Sequence, residues 1–367
     1  MNIEQRFDTP PRASGWHMKR VAGFTLVELM IALVLGLLVI AGVGSVFLAN
    51  KDAYRTNEAL SQTQDAARTS FEFLARDIRE AGSNPCGSGE VQSTLDGSAQ
   101  CGGSNSLPDW VDDFDVPVSG TDDTSTISGL PGSGAGSPVS GSDAIRIGKA
   151  EDMGIRLADP GDQPGNPAGN FKLAAPTTLI GSDDILLLCD AGKATIFQVS
   201  SYNSSNETVV HNSGNGLGSI RNCSKGLNHD IIPTANGNGT TISETSYLAV
   251  PRSTYWYIGA NSAGSASLYR ARSNSLDMDD LADSVEIQEM VRGVEGMAIQ
   301  YHEAGNDAFL DASAVANWDD VDAVWLQLTI RSRGTSASDP NVGAGADRQR
   351  LLKTFSTTVA VRNRLGG

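Results

Sequence analysis

The sequence predicts an α+β fold. One long N-terminal helix, membrane-spanning in its first half, packs on a β-rich, loop-rich globular domain. Three observations predict it: a single apolar run over 24–49, a heptad-like seam that continues to residue 81, and short β-type runs from Asp143 onward. The chain has 367 residues, enough for one or two domains with a real core. Hydrophobic residues at 40% and charged residues at 19% exclude global disorder. A mean hydropathy of −0.19 excludes a polytopic membrane protein. Lys plus Arg number 27 against 43 Asp plus Glu, a formal charge of −16. So acidic a surface argues against a phosphate backbone as partner, and no nucleic acid is expected.

The run from Phe24 to Ala49 holds 26 residues and one charge, Glu28. As a helix it measures ~39 Å against a bilayer core of ~30 Å. A buried core helix would show a polar face, and this run shows none. A secretory signal peptide would be shorter and closed by a small-residue cleavage site, which is missing here. Lys19 and Arg20 before the run nearly balance Lys51 and Arg55 after it, so the charge rule orients it weakly. The cysteines say more. Cys86, Cys101, Cys189 and Cys223 all follow the span and show no C-x-x-C metal spacing. An even count reads as up to two disulfides in an extracytoplasmic body.

From Lys51 to Ala81 there is no Pro and no Gly. Leu60, Ala67, Phe71, Leu74, Ile78 and Ala81 form the seam, and Arg68, Glu72, Arg76 and Glu80 form an i,i+4 ladder on another face. The seam is short, which favours packing on the following body over a free coiled coil. Gly82 is the C-cap candidate. Gly36, Gly42 and Gly44 leave room for a bend or local melting, at up to ~1 kcal/mol each.

Residues 83–142 read as a long decorated loop, rich in Gly, Ser and Pro. Asp109, Asp112, Asp113, Asp115, Asp122 and Asp123 cluster there. Calcium is the one ligand the cluster suggests, but its spacing does not match an EF-hand loop, and a solvated acidic loop is the stronger reading. No other cofactor is expected. Strands follow at 144–147, 184–189 and 194–199. A hairpin is expected around 255–258 and 267–270, and half-buried strands around 324–330 and 355–361. Residues 285–299 are ambiguous. Four cysteines allow three connectivities, and proximity favours Cys86 with Cys101 and Cys189 with Cys223.

The junction Gly23-Phe24-Thr25-Leu26-Val27-Glu28 resembles the processing site of type IV prepilins. The resemblance implies cleavage after Gly23 by a prepilin peptidase, N-methylation of Phe24, and Glu28 as the carboxylate used in assembly, pairing with the amine on Phe24 of a neighbouring subunit. A carboxylate in an apolar span costs a few kcal/mol. Such a residue either snorkels at the interface or has a partner. Residues 1–23 are longer than the usual leader and carry Pro10 and Pro11, whereas Met18 opens MKRVAG, itself a complete short leader. Later segments resemble PilW-type minor pilins by their order: FEFLARDIREAG, SDDILLLCD, ATIFQV, SLYRAR, MVRGVEGMAIQYH, VWLQLTIRSR and FSTTVAVRNRL. Residues 83–142 carry no such match. The implied layout is a leader at 1–23, the pilin helix at 24–81 with its span at 24–49, and a periplasmic or extracellular β-rich domain at 82–367.

Catalytic motifs are missing. His17 is lost with the implied leader; His211, His229 and His302 stand apart in polar surroundings and read as surface residues, and no H-E-x-x-H, G-x-S-x-G or Walker loop occurs. The resemblance implies a non-enzymatic minor pilin, held in the bacterial inner membrane before assembly and on the cell surface after it. Its implied partners are other minor pilins, the major pilin, the peptidase and a tip adhesin. Its implied roles are pilus assembly, adhesion and twitching motility. A J-type pseudopilin of type II secretion is the alternative within the class. A membrane-tethered periplasmic enzyme or ligand-binding protein is the alternative outside it.

Overall fold

The structure is a computed structural model that describes residues 23–87, 91–96, 98, 101, 116–127, 129–158, 169–190, 193–214, 220–227, 245–273, 285–332 and 350–362. Residues 1–22 of the expected leader, His17 among them, and Asp109, Asp112, Asp113, Asp115 and His229 lie outside the described residues. The chain divides into two units, 1–57 and 58–367.

Helix α1, Leu26–Glu80, begins in the first unit and ends in the second. It is helical without a break through Gly36, Gly42 and Gly44, so the glycines do not melt it. Their cost of up to ~1 kcal/mol each is spread over a long cooperative ladder that propagates once nucleated. In the first unit the apolar side chains from Leu26 to Leu48 are all exposed. The helix is long and apolar enough there to cross a membrane.

In the second unit α1 buries one stripe: Thr63, Ala67, Ser70, Leu74, Ala75 and Ile78. The stripe steps by three and four residues, as a helix packed on one side must. It differs from the expected seam at its start, where Thr63 is buried and Leu60 is 36% exposed. Thr63 is admissible because its hydroxyl donates to the Leu60 carbonyl at 2.9 Å. The expected charge ladder forms, Arg68 to Glu72 at 3.0 Å and Arg76 to Glu80 at 3.6 Å. Gly82 ends the helix with φ +69°, and its N–H donates to the Gly148 carbonyl at 2.8 Å. That left-handed position is where a glycine costs least.

Fifteen strands follow among the described residues. They are β1 Val91–Ser93, β2 Val118–Thr121, β3 Ala144–Arg156, β4 Asn170–Lys172, β5 Ile185–Asp190, β6 Lys193–Gln198, β7 Ser201–Asn203 and β8 Thr208–Val210, then β9 Tyr247–Ala260, β10 Ala266–Ser273, β11 Val285–Arg292, β12 Val294–Glu303, β13 Phe309–Leu310, β14 Val321–Arg331 and β15 Leu352–Ala360. The largest sheet runs β1-β6-β5-β9-β10-β11, with β3 on the other edge of β9 and β2 beyond it. A second sheet runs β13-β12-β14-β15, and a small third runs β4-β8-β7. The expected hairpin is β9–β10, with Tyr257 opposite Tyr269. The ambiguous stretch 285–299 holds β11 and most of β12. Gly293, at φ +85°, turns the chain from the first sheet into the second. A Cβ there would lie 2.7 Å from the Arg331 carbonyl oxygen.

The main core joins the α1 stripe to both larger sheets through Ile145, Trp256, Leu268, Met297, Leu326 and Leu328. Trp256 is 1% exposed, stacks on Phe73 at 6.3 Å and donates its indole N–H to Asp77 at 2.8 Å. The loop-like region 83–142 contributes β1, β2 and a turn of 3-10 helix at Thr124–Thr126. Its Gly/Ser/Pro stretch lies along β9, with Gly136 and Val139 donating to the Ala260 and Ile258 carbonyls.

The local disulfide pairing is wrong. The bridges are Cys86–Cys189 and Cys101–Cys223. Sheet order is the reason. Cys189 sits opposite Tyr247, whose hydroxyl donates to the Pro85 carbonyl, and this brings Cys86 onto β5. Beyond β1 the chain runs beside 221–223: the Cys223 N–H donates to the Thr94 carbonyl and the Asp96 N–H to the Arg221 carbonyl, both at 2.7 Å. Each bridge closes a loop of 103 or 122 residues. A loop near that length is worth ~4.7 kcal/mol in the chain-entropy model, against ~3 for a 15-residue one.

Non-reducing peptide mapping is expected to recover Cys86 with Cys189 and Cys101 with Cys223; a Cys86–Cys101 peptide would refute the fold around β1. Leu74→Ala should lower unfolding free energy by ~2–5 kcal/mol in denaturant titration, because it opens a cavity under the buried stripe.

Candidate functional site

The N-terminal motif lies in the first unit. Gly23 precedes the helix, and a Cβ on it would meet nothing within 4 Å. Among the described residues nothing around it therefore demands a glycine. Phe24 is 83% exposed. Thr25 is the residue before α1, and its hydroxyl accepts the Glu28 N–H at 3.2 Å. Its carbonyl accepts the Leu29 N–H at 3.1 Å. Thr25-x-x-Glu28 thus has the spacing of a capping box, with an acidic side chain in the first turn where the helix dipole favours it. Sequence reasoning missed this relation, although the T-x-x-E pattern carries it.

In the second unit the described acidic residues bind backbone amides. Asp122 accepts the N–H groups of Ala312 and Ser313 at 2.9 and 3.0 Å. Asp123 caps the 3-10 turn by accepting the Ser125 N–H at 2.9 Å, and that bond lowers its pKa. Glu303 is buried and accepts the Ala316 and Asn317 N–H groups at 2.9 and 2.8 Å. Asp143 accepts the Ile299 N–H at 2.7 Å, while burial pushes its pKa up to about 6. Asp122 thus holds 312–313 to the end of β2, Glu303 holds 316–317 to the end of β12, and Asp143 holds the start of β3 to β12. Among the described residues no group of three His, Cys, Asp or Glu is placed to hold a metal ion. The clamps had no sequence signal, since each pairs residues far apart in the chain.

Of the two described histidines, His211 departs from the surface reading and His302 is partly exposed. His211 is 4% exposed, between Phe171 and Phe197 at 5.6 and 5.8 Å, and burial lowers its pKa to about 4. It follows β8, whose Val209 is buried, so the strand carries it inward despite polar neighbours in sequence. His302 places Nδ1 2.6 Å from Asp322 and Nε2 2.7 Å from the Asn306 carbonyl. Both partners accept, so only the doubly protonated ring satisfies both. The Asp322 hydrogen bond raises its pKa. All four cysteines are in disulfides and none is a thiolate.

Two family models match the chain. The prokaryotic N-terminal methylation motif covers residues 18–44. The type IV pilus-assembly protein W model covers residues 255–363, from within β9 to the end of the second sheet. No curated protein and no solved structure matches. The methylation motif and the apolar helix mark a membrane-anchored pilin. With the second match, the chain is a type IV pilus-associated minor pilin of the PilW type.

Stability should fall as pH rises in two separate windows. Asp143 binds its proton more tightly folded than unfolded, so stability drops from pH ~4 to about 6. The raised His302 pKa adds stability that is complete below ~6.5 and is lost as pH rises through the folded value. Denaturant titrations across pH should lose the lower step in Asp143→Asn and the upper step in His302→Gln. Retention of a step in its own variant would refute the assignment.

Proposed function

We propose that this minor pilin takes part in initiating pilus assembly, within a complex of minor pilins at the filament tip, and so in pilus-dependent adhesion and motility. The observation that carries the reading is the order of two matches on one chain, methylation motif first and PilW model last. The PilW family is structural, which supports a non-enzymatic role. In this reading residues 1–23 are a leader, the peptidase cuts between Gly23 and Phe24, and Phe24 is N-methylated. The body at 82–367 lies on the periplasmic side before assembly and on the cell surface after it. Its partners are the major pilin, other minor pilins and a tip adhesin.

Glu28 has two candidate tasks in this reading. One is to complete the capping box with Thr25, whose hydroxyl accepts the Glu28 N–H. The other is to pair with the amine of Phe24 on a neighbouring subunit, which offsets the cost of a carboxylate in an apolar span.

Mass spectrometry of membranes containing the peptidase should find a peptide beginning at N-methyl-Phe24; an intact leader would overturn the reading. Glu28→Ala should be processed and retained in membranes yet be lost from sheared pili. Glu28→Gln separates the two tasks, since Gln keeps the capping box and lacks the charge. Loss of Glu28→Gln from pili supports charge pairing, and recovery at the level of the unaltered protein assigns Glu28 to capping alone.

A further inference from the structure

The edges of the three sheets are blunted in recognisable ways, with one exception. Strands β1, β2, β4, β7 and β13 have two to four residues. Edge strand β11 carries Glu286, Glu289 and Arg292, and its pairing with β10 is broken by a register shift. Short edges, charges and bulges are how proteins prevent stray strand pairing. Strand β15 has none of these over Thr354–Ala360. It spans nine residues, pairs with β14 in unbroken register, contains no Pro or Gly, and carries one charge, Lys353, at its second position. Among the described residues it is the last strand of its sheet.

Its open side can be assigned. The Val361 N–H donates to the Asp322 carbonyl, and the Leu351 carbonyl accepts from Ser332. Alternation then turns the N–H and C=O groups of Leu352, Thr354, Ser356, Thr358 and Ala360 away from β14. The charge carried by this strand and its two flanks is opposite to that of the whole protein. Residues 350–362 contain Arg350, Lys353 and Arg362 and no acidic residue, in a chain of net charge −16. None of the three has an ion-pair partner among the described residues.

We propose that β15 is a strand-addition edge that takes an extended, acidic segment of a partner chain. Main-chain hydrogen bonds supply the register, and the cations at both ends of the strand supply the charge preference. A second copy fits poorly, because pairing β15 with itself would bring like charges together. The proposal does not rest on the assembly role, and the test reads the edge directly.

The test uses the full chain in detergent micelles and a ten-residue peptide of alternating Thr and Val flanked by Asp pairs. It should bind at least about tenfold tighter than the same peptide flanked by Lys, and weaken with salt. N-methylation of alternate peptide nitrogens should abolish binding. Hydrogen exchange should slow at the Thr354, Ser356 and Thr358 amides. Ser356→Pro removes one outward donor and none from the β14 ladder, and should weaken binding. Should that variant fold poorly, Arg350→Glu with Arg362→Glu, both outside the core, should remove the preference for Asp over Lys. No binding of the acidic peptide, equal binding of both peptides, or binding indifferent to N-methylation would overturn the proposal. Concentration-dependent self-association through β15 would assign the edge to a second copy instead.

Discussion

The contact of residues 63–81 with Trp256 is the constraint from which the rest of the second unit follows. An α-helix offers one stripe to a core, and here that stripe is made of small and aliphatic side chains, Ala67, Leu74, Ala75 and Ile78. Small residues let the helix lie close to the sheet, and the large volume comes from the sheet side, from Trp256, Leu268 and Ile145. The indole N–H cannot be buried unpaired without a cost of ~1–3 kcal/mol, and Asp77 on the helix removes that cost. The same residue therefore fixes the packing and the helix rotation. Once α1 is set, Gly82 turns the chain onto β3 through its bond to Gly148. The order of β3, β9 and β10 then follows from β9 being paired on both edges.

Two sheets share that core, and the chain has to pass from one to the other. Gly293 is the passage. A side chain there would meet the Arg331 carbonyl, and the left-handed φ disfavours one in any case. This explains why residues 285–299 resist assignment from sequence. Their apolar positions belong to two strands on different sheets, so no single period covers the stretch. The clean alternation of β14, by contrast, was legible because one strand packs one whole face: Val324, Leu326, Leu328 and Ile330 are buried in turn.

Legibility thus followed the range of the interaction. Local periodicity marked α1, its charge ladder, its glycine stop and seven of the fifteen described strands, β3, β5, β6, β9, β10, β14 and β15. The N-terminal motif was legible because its parts sit within six residues. The disulfides were not, since proximity in sequence is a poor guide once β1 is inserted parallel to β6. The carboxylate clamps at Asp122, Asp143 and Glu303 were equally hidden. Their partners are backbone amides, and an amide has no signature in a sequence. His211 was misread for a related reason: polar neighbours describe the chain around a residue, whereas the direction of β8 decides where its ring goes.

The acidic character of the protein takes on structural meaning in this light. Clamping carboxylates accept N–H bonds from segment 311–320, which has little regular ladder of its own, only two short 3-10 turns. Neutral acceptors would satisfy the same donors, but a charged acceptor makes a stronger bond. The cost appears where burial is deepest, at Asp143, whose proton is held up to about pH 6 by desolvation first and by Asp122 and Asp311 after it. Asp122 thus holds one loop and loads its neighbour. In the same small sheet His302 pairs with Asp322 and Arg331 with Glu295. Strand β15 runs beside those pairs, with Leu352 opposite Arg331 and the Val361 N–H on the Asp322 carbonyl, and brings cations of its own to the edge.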